Sequence, residues 1–194
     1  MGKKKTFWTR EKLLKMGVPL VLIPGLLLGL RLGWGNVEKI KNYYQDKTVF
    51  PVSGMVKEIK DGDTFVLEDG TVVRLLAVNT PDRGDKNYEE VAQNLVALVK
   101  NKRAYLEYDR YQDDKYGRIL AWVWVDCEGT PKFLPFDYMY KSKNESNEGL
   151  IENPVNCKRG QLVNEEVLRK SGLEPVFYKD RGELKYQKRL KMLQ

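Results

Sequence analysis

The period of apolar and polar positions changes several times along the chain. Met16 to Leu30 is an uncharged, mostly apolar run that continues past Arg31 through Leu32, Gly33 and Trp34. A polar stretch from Gly35 to Phe50 follows, and from Pro51 the pattern turns to strands. Val52–Lys60 alternates, and Thr64–Glu68 and Thr71–Val78 flank Asp69-Gly70, a two-residue hairpin signal. Tyr88–Lys100 carries Val91, Leu95, Leu98 and Val99 at i, i+4, i+7 and i+8, the stripe of an amphipathic helix. Arg103–Asp109 and Ile119–Val125 are aromatic and β-branched, and the loop YQDDKYGR joins them; Trp122 and Trp124 in the second run read as packing residues. Gln161–Lys170 predicts a second helix stopped at Gly172. In the tail from Lys179 to Gln194, Tyr186, Leu190 and Leu193 share one helical face, with Lys185, Lys188, Arg189 and Lys191 largely elsewhere. That face predicts packing against the body of the domain, with contact to nucleic acid or lipid as the alternative. Strands, helix, strands, helix describes an α+β domain in which helices pack on a small barrel.

Charge separates the first quarter of the chain from the rest. Residues 1–49 hold 10 Lys and Arg against 3 Asp and Glu, while the remainder has 24 of each, so the net charge of +7 belongs to the N-terminal segment. A basic net charge is a signal for a polyanionic partner, but here it lies outside residues 50–194, so bulk electrostatic steering by that part of the chain is modest. Lys3, Lys4, Lys5, Arg10, Lys12 and Lys15 precede the apolar run. The expected organisation is a basic cytoplasmic segment at 1–15, a transmembrane anchor at 16–34, a tether at 35–50 and an extracytoplasmic domain at 51–194. About 19 residues are available for the span if Arg31 snorkels, near the lower limit of about 17. A cleaved signal, which would release a secreted domain, and a buried or interfacial helix are the competing readings.

The chain contains no histidine. Ser-His hydrolases, His-ligated zinc sites and a His general base are thereby excluded. Carboxylates with a hard metal ion, and arginines for phosphate, remain as a route to a reactive water. The segment DGDTFVLEDGTVVRLLAVNTPD, Asp61 to Asp82, and the later DDKYGR ending at Arg118 place those residue types around the predicted strands.

This order and spacing resembles the staphylococcal nuclease (thermonuclease) family, from about Pro51 to about Tyr178. The resemblance implies an OB-fold, a partly open five-stranded β-barrel, and a Ca²⁺-dependent phosphodiesterase that hydrolyses DNA with low sequence specificity, with RNA a further candidate substrate. It implies Asp63, the Asn79 side chain and the Thr80 carbonyl as metal ligands, with Asp61 supporting from behind. Asp82 would activate water, and Arg74 and Arg118 would clamp the transition state with planar, bidentate donors. Lys115, Tyr116 and Tyr178 would contact the substrate. The family's DTPE reads NTPD here. Asn79 thus replaces an anionic ligand with a neutral one, and Asp82 is one methylene shorter than the family's glutamate. A non-catalytic module binding nucleic acid or protein on the same fold is the alternative these departures motivate, and an envelope protein whose barrel serves an assembly is another.

A second departure is the insert at 127–160, where the family often has a tight connection. Its neck carries Cys127 and Cys157, the chain's two cysteines. Outside the membrane a disulfide there would staple the insert, worth about 3–4 kcal/mol by loop entropy. In a reducing compartment the two remain thiols. The insert has three candidate roles: covering the barrel, shaping substrate access or binding a partner.

Overall fold

The computed structural model describes Lys15 and residues 50–142, 145–178 and 182–193. The chain divides into two units, 1–49 and 50–194. The expected anchor at 16–34 lies outside the described residues; among those described, no helix is long and apolar enough to cross a membrane.

The second unit is a closed mixed barrel. Strands β1 (Ser53–Ile59), β2 (Thr64–Leu67) and β3 (Val72–Leu75) form an antiparallel meander. Helix α1 (Tyr88–Val99) then leads to β4 (Arg103–Glu107), which pairs with β1, and to β5 (Ile119–Val125), antiparallel to β4. Closure comes from β5 lying parallel to β3, with Arg74 opposite Leu120. A β-bulge at Val56/Glu58 bends β1, as closing a small barrel requires. This is an OB-type α+β barrel.

The core follows from the patterning. Val91, Leu95, Leu98 and Val99, the predicted stripe, are buried, as are Phe65, Leu67, Val73 and Leu75 from the hairpin. In β5 every residue but Leu120 is buried, because one face fills the barrel and the other is covered by neighbouring elements. Trp122 and Trp124 are fully buried packing residues, the kind whose truncation costs about 3–5 kcal/mol.

Several expected elements differ in extent. The strand expected over Thr71–Val78 ends at Leu75, because the chain turns away through Ala77 at φ 60, a left-handed conformation uncommon for a residue with a Cβ. The helix expected from Gln161 begins only at Val163: Gln161–Leu162 form β8, paired with β5, and helix α2 is Val163–Ser171. Two residues of edge pairing here satisfy backbone groups beside β5 before the helix starts. Gly172 closes α2 in the left-handed conformation at φ 62. Asn164 explains how α2 is held. It is fully buried, its amide donates to Leu76 O (2.9 Å) and Ala121 O (3.1 Å), and its oxygen accepts from Val123 N (2.9 Å), so it spans the β3–β5 seam.

The insert contains a two-stranded hairpin, β6 (Tyr140–Ser142) and β7 (Glu145–Ser146). Cys127 and Cys157 form a disulfide across its neck. The tail ends in the short helix α3 (Gln187–Lys191). Tyr186 and Leu190 are buried, whereas Leu193, expected on the same packed face, is 37% exposed because the helix ends before it.

Candidate active site

The site begins at the turn between β1 and β2. Gly62 allows a close approach there: a Cβ would lie 2.7 Å from Val91 Cγ1 on α1 and 3.0 Å from Thr80 Cγ2. The turn therefore sits against both the helix and the segment that follows β3. Asp61 Oδ1 accepts from Asp63 N at 3.2 Å and fixes the turn. Asp63 is 1% exposed. Its neighbour Thr64 pairs across the hairpin with Arg74, which brings the carboxylate and the guanidinium together.

Arg74 holds both oxygen groups of this end. Its Nη1 donates to Asp63 Oδ1 at 2.5 Å, and its Nη2 donates to Asn79 Oδ1 at 3.2 Å and to Val78 O at 3.5 Å. Thr64 Oγ1 also donates to Asp63 Oδ1, at 2.8 Å. These interactions do not offset the loss of water around Asp63. Burial raises its pKa, and Arg74 and Thr64 pull it back only part of the way, leaving it at about 6.

One cleft, of about 440 Å³, is lined by Asp63, Arg74, Asn79, Thr80, Asp82 and Arg118 together with Asp61, Lys60, Pro81, Arg83 and Tyr88. Asp82 is exposed at its rim. The loop after it is a compact turn, with Asp82 N donating to Asp85 Oδ2 (3.1 Å) and Asp85 N to Asp82 O (2.9 Å). All six residues expected at the chemical centre thus share one cleft.

Arg118 enters from the start of β5 and is anchored by Asp114. Its Nε and Nη2 both donate to Asp114 Oδ2 at 2.7 Å, and its own N–H donates to Asp114 Oδ1 at 3.1 Å. Burial pushes the Asp114 carboxyl up, but the donors from Arg118 and the Tyr116 N–H outweigh it and hold the pKa below the ordinary value. Asp114 is a residue the sequence reading passed over, although its place four positions before Arg118, across a Gly turn, is the signal that would have found it.

A second cleft, of about 420 Å³, meets the first at Arg74, Asn79 and Arg118. Lys115, Tyr116 and Tyr178 line it, with Leu76, Val176 and Leu184 among its apolar residues. Tyr116 is stacked under cations, with Lys115 Nζ 4.9 Å and Arg118 Cζ 5.2 Å from its ring centre. Cys127 and Cys157 line neither cleft.

Among the described residues no three His, Cys, Asp or Glu side chains converge to hold a metal. The donors that do converge, Asp63 Oδ1 and Asn79 Oδ1, are hard oxygens already gathered on a single cationic group, with the Thr80 segment lining the same cleft. Such a set fits a hard divalent cation held with help from water and phosphate oxygens, and it fits weakly, since only one of those two donors is charged.

No family model matches the chain. It is 42% identical over 85 residues to a thermonuclease of Staphylococcus intermedius, covering 39% of this chain and 51% of that protein. It is 34% identical over 82 residues to a thermonuclease of Staphylococcus hyicus, covering 38% and 48%. With the endonuclease YncB of Bacillus subtilis it shares 31% identity over 109 residues, 51% of this chain and 46% of the relative. The chain thus spans about half the length of the curated relatives it matches.

Proposed function

We propose, from the premise that the chain is a member of the SNase-like family, that it is a Ca²⁺-dependent nuclease hydrolysing DNA, and also RNA, with low sequence preference. The observation that carries the reading is the convergence of two clefts on Arg74 and Arg118, one oxygen-rich and lined by Asp63 and Asp82, the other basic and aromatic.

Asp63, Asn79 Oδ1 and the Thr80 carbonyl would hold the ion. Bound there, Ca²⁺ would polarise the phosphoryl group and lower the pKa of a nearby water. Asp82 takes a proton from the attacking water as the water oxygen bonds to phosphorus. The opposite P–O bond breaks, and the leaving oxygen is protonated from solvent. Arg74 and Arg118 stabilise the charge that develops on the phosphoryl oxygens, where bidentate donors count most. Asp114 occupies Arg118 Nε and one Nη2 hydrogen and thereby aims Nη1 at the phosphate. Lys115, Tyr116 and Tyr178 hold the flanking nucleotide by charge and stacking.

Arg74 already saturates part of the Asp63 and Asn79 oxygens, which favours a second reading, a metal-independent module binding nucleic acid. Incubating the full chain with single- and double-stranded DNA and RNA, in millimolar Ca²⁺ or chelator, separates the two. Cleavage only with Ca²⁺ supports the enzyme; binding without cleavage at high protein concentration supports the module.

For location, the proposal is a membrane-anchored, extracytoplasmic domain, with secretion after signal cleavage as the alternative. The basic segment before Met16–Trp34 supports it, and so does the Cys127–Cys157 disulfide, which persists in oxidising compartments. External protease should digest the domain in intact cells, and full protection would contradict this.

A further inference from the structure

We infer that the insert of residues 127–160 braces the back wall of the nucleotide cleft through the C-terminal tail, so that Asn153 and the Cys127–Cys157 disulfide set substrate affinity from outside the site. This rests on the proposed reading of that cleft. The tail is one strip of chain with two faces. Leu184 and Gln187 line the cleft that also holds Tyr116 and Tyr178. Between and beyond them, Lys185, Lys188 and Arg189 touch the insert; Lys185 is also held by Glu107 and Tyr108 of the barrel, and Arg189 by Glu165 of α2.

The grip uses both backbone groups and side chains of the insert. Leu150 N donates to Lys185 O at 2.6 Å, and Lys185 Nζ donates to Leu134 O at 2.8 Å. Arg189 Nη1 donates to Asn153 Oδ1 at 2.8 Å, and Lys188 pairs with Glu148 at 2.9 Å. The last pair is exposed and contributes little. Lys185 is different, because its side chain is fully buried on Glu107 (3.1 Å), Tyr108 O (2.7 Å) and Leu134 O. Glu107 and Tyr108 belong to the barrel, so the insert's share in holding this ammonium is the Leu134 carbonyl, and moving the insert away would leave one of its buried donors unpaired.

Asn153 joins this grip to the neck of the insert. While its Oδ1 receives Arg189, its Nδ2 donates to Cys157 O (3.0 Å) and Gly160 O (2.8 Å), beside the disulfide. One carboxamide therefore links the neck of the insert to Arg189 of the tail, beside the separate Leu150–Lys185 and Lys185–Leu134 contacts. None of the brace residues lines the cleft that holds Asp63 and Asp82. Loosening the brace should then weaken substrate binding while leaving the chemical step nearly intact.

The test compares the full chain, its dithiothreitol-reduced form, the Cys127→Ser/Cys157→Ser double variant and Asn153→Ala. Amide exchange over residues 182–193 and initial rates against a single-stranded oligonucleotide are measured for each. The brace predicts faster exchange in that segment, KM raised about threefold or more and kcat within about twofold. Unchanged exchange, or faster exchange with unchanged KM, overturns it. If opening the disulfide unfolds the domain, Asn153→Ala decides alone. A wild type that cleaves nothing in millimolar Ca²⁺ sinks the nuclease reading instead. Oligonucleotide affinity by anisotropy then replaces KM in the same comparison, and exchange and affinity still decide the brace.

Discussion

Two carboxylates buried in this domain, Asp63 and Glu107, each meet a cation, and they are built differently. Glu107 is 1% exposed and its partner Lys185 is fully buried. Around Glu107, Oε1 takes Lys185 Nζ, and Oε2 takes Tyr186 OH (2.9 Å) and Trp124 Nε1 (3.1 Å). Asp109 beside it accepts from Trp122 Nε1 (2.8 Å) and Lys185 N (2.7 Å). Burial pushes the Glu107 pKa up, and three donors oppose it only in part, so it stays above the ordinary value as Asp63 does. Asp63 is as deeply buried, yet its cation is a guanidinium at the wall of an open cleft that it shares with Asn79. A carboxylate enclosed by fixed donors on every side serves the fold. One with fewer donors, beside an opening, is ready for a ligand that brings more charge.

The largest expected effect lies on the structural side of the comparison. Lys185→Met leaves Glu107 buried without its ion pair and should destabilise the domain by about 3–5 kcal/mol. Chemical denaturation should show this, with cleavage per folded molecule falling far less than after any change at Asp63. A loss below about 1 kcal/mol would mean that Tyr186 and Trp124 satisfy Glu107 alone.

At the functional end, Arg74→Lys and Arg118→Lys keep the charge and lose the fork. Each should lower kcat at least about tenfold, about 1.4 kcal/mol of transition-state stabilisation, with little change in unfolding temperature. Unchanged turnover in either variant removes that arginine from the mechanism. Asn79→Asp is a smaller change. It adds an anion beside Asp63 and should reduce the Ca²⁺ concentration for half-maximal cleavage by about three- to tenfold. Identical calcium titrations would place residue 79 away from the ion.

The two regions were unequally legible in the sequence. That the residues of the candidate cleft would lie together was readable because they sit in short motifs: Asp63 and Arg74 are joined by one hairpin, Asn79 and Thr80 follow the same strand, and Arg118 opens the strand that closes the barrel onto Arg74. The α1 stripe and the Gly172 stop were equally local signals. The structural network was not readable, since Lys185 meets Glu107 from 78 positions away. Within a tail rich in Lys and Arg, its periodicity placed it off the apolar face of Tyr186, Leu190 and Leu193. Nothing local marked Glu107 and Asp109, whose partners are the indole N–H groups of Trp122 and Trp124. The start of α2 was misplaced for a related reason. Gln161 and Leu162 fit a helix by composition, and only the presence of β5 alongside makes them a strand. The insert, polar and aromatic by turns, meets the tail partly through the backbone groups of Leu134 and Leu150, which sequence does not display, and partly through Glu148 and Asn153, about 40 positions from their partners.

Asp63 also sets a pH dependence whose sign is fixed. Its folded pKa of about 6 lies above the ordinary 3.8, so the stability tied to its proton is complete below about 3.8 and is lost as pH rises through about 6. Above that, the ionised carboxylate is a cost to the fold that a divalent cation would relieve. The acid limb of cleavage should accordingly fall near pH 6 and move lower as Ca²⁺ is raised.

The most direct measurement is thermal unfolding of wild type and Asp63→Asn at pH 7, in chelator and in millimolar Ca²⁺. In chelator the variant should be the more stable, by about 1–3 kcal/mol, because the costly charge is gone. Calcium should raise the wild-type midpoint, through mass action on the folded state alone, and leave the variant where it was. A variant less stable than wild type in chelator, or one that responds to calcium as wild type does, would contradict the account of Asp63 as a buried charge kept for a metal.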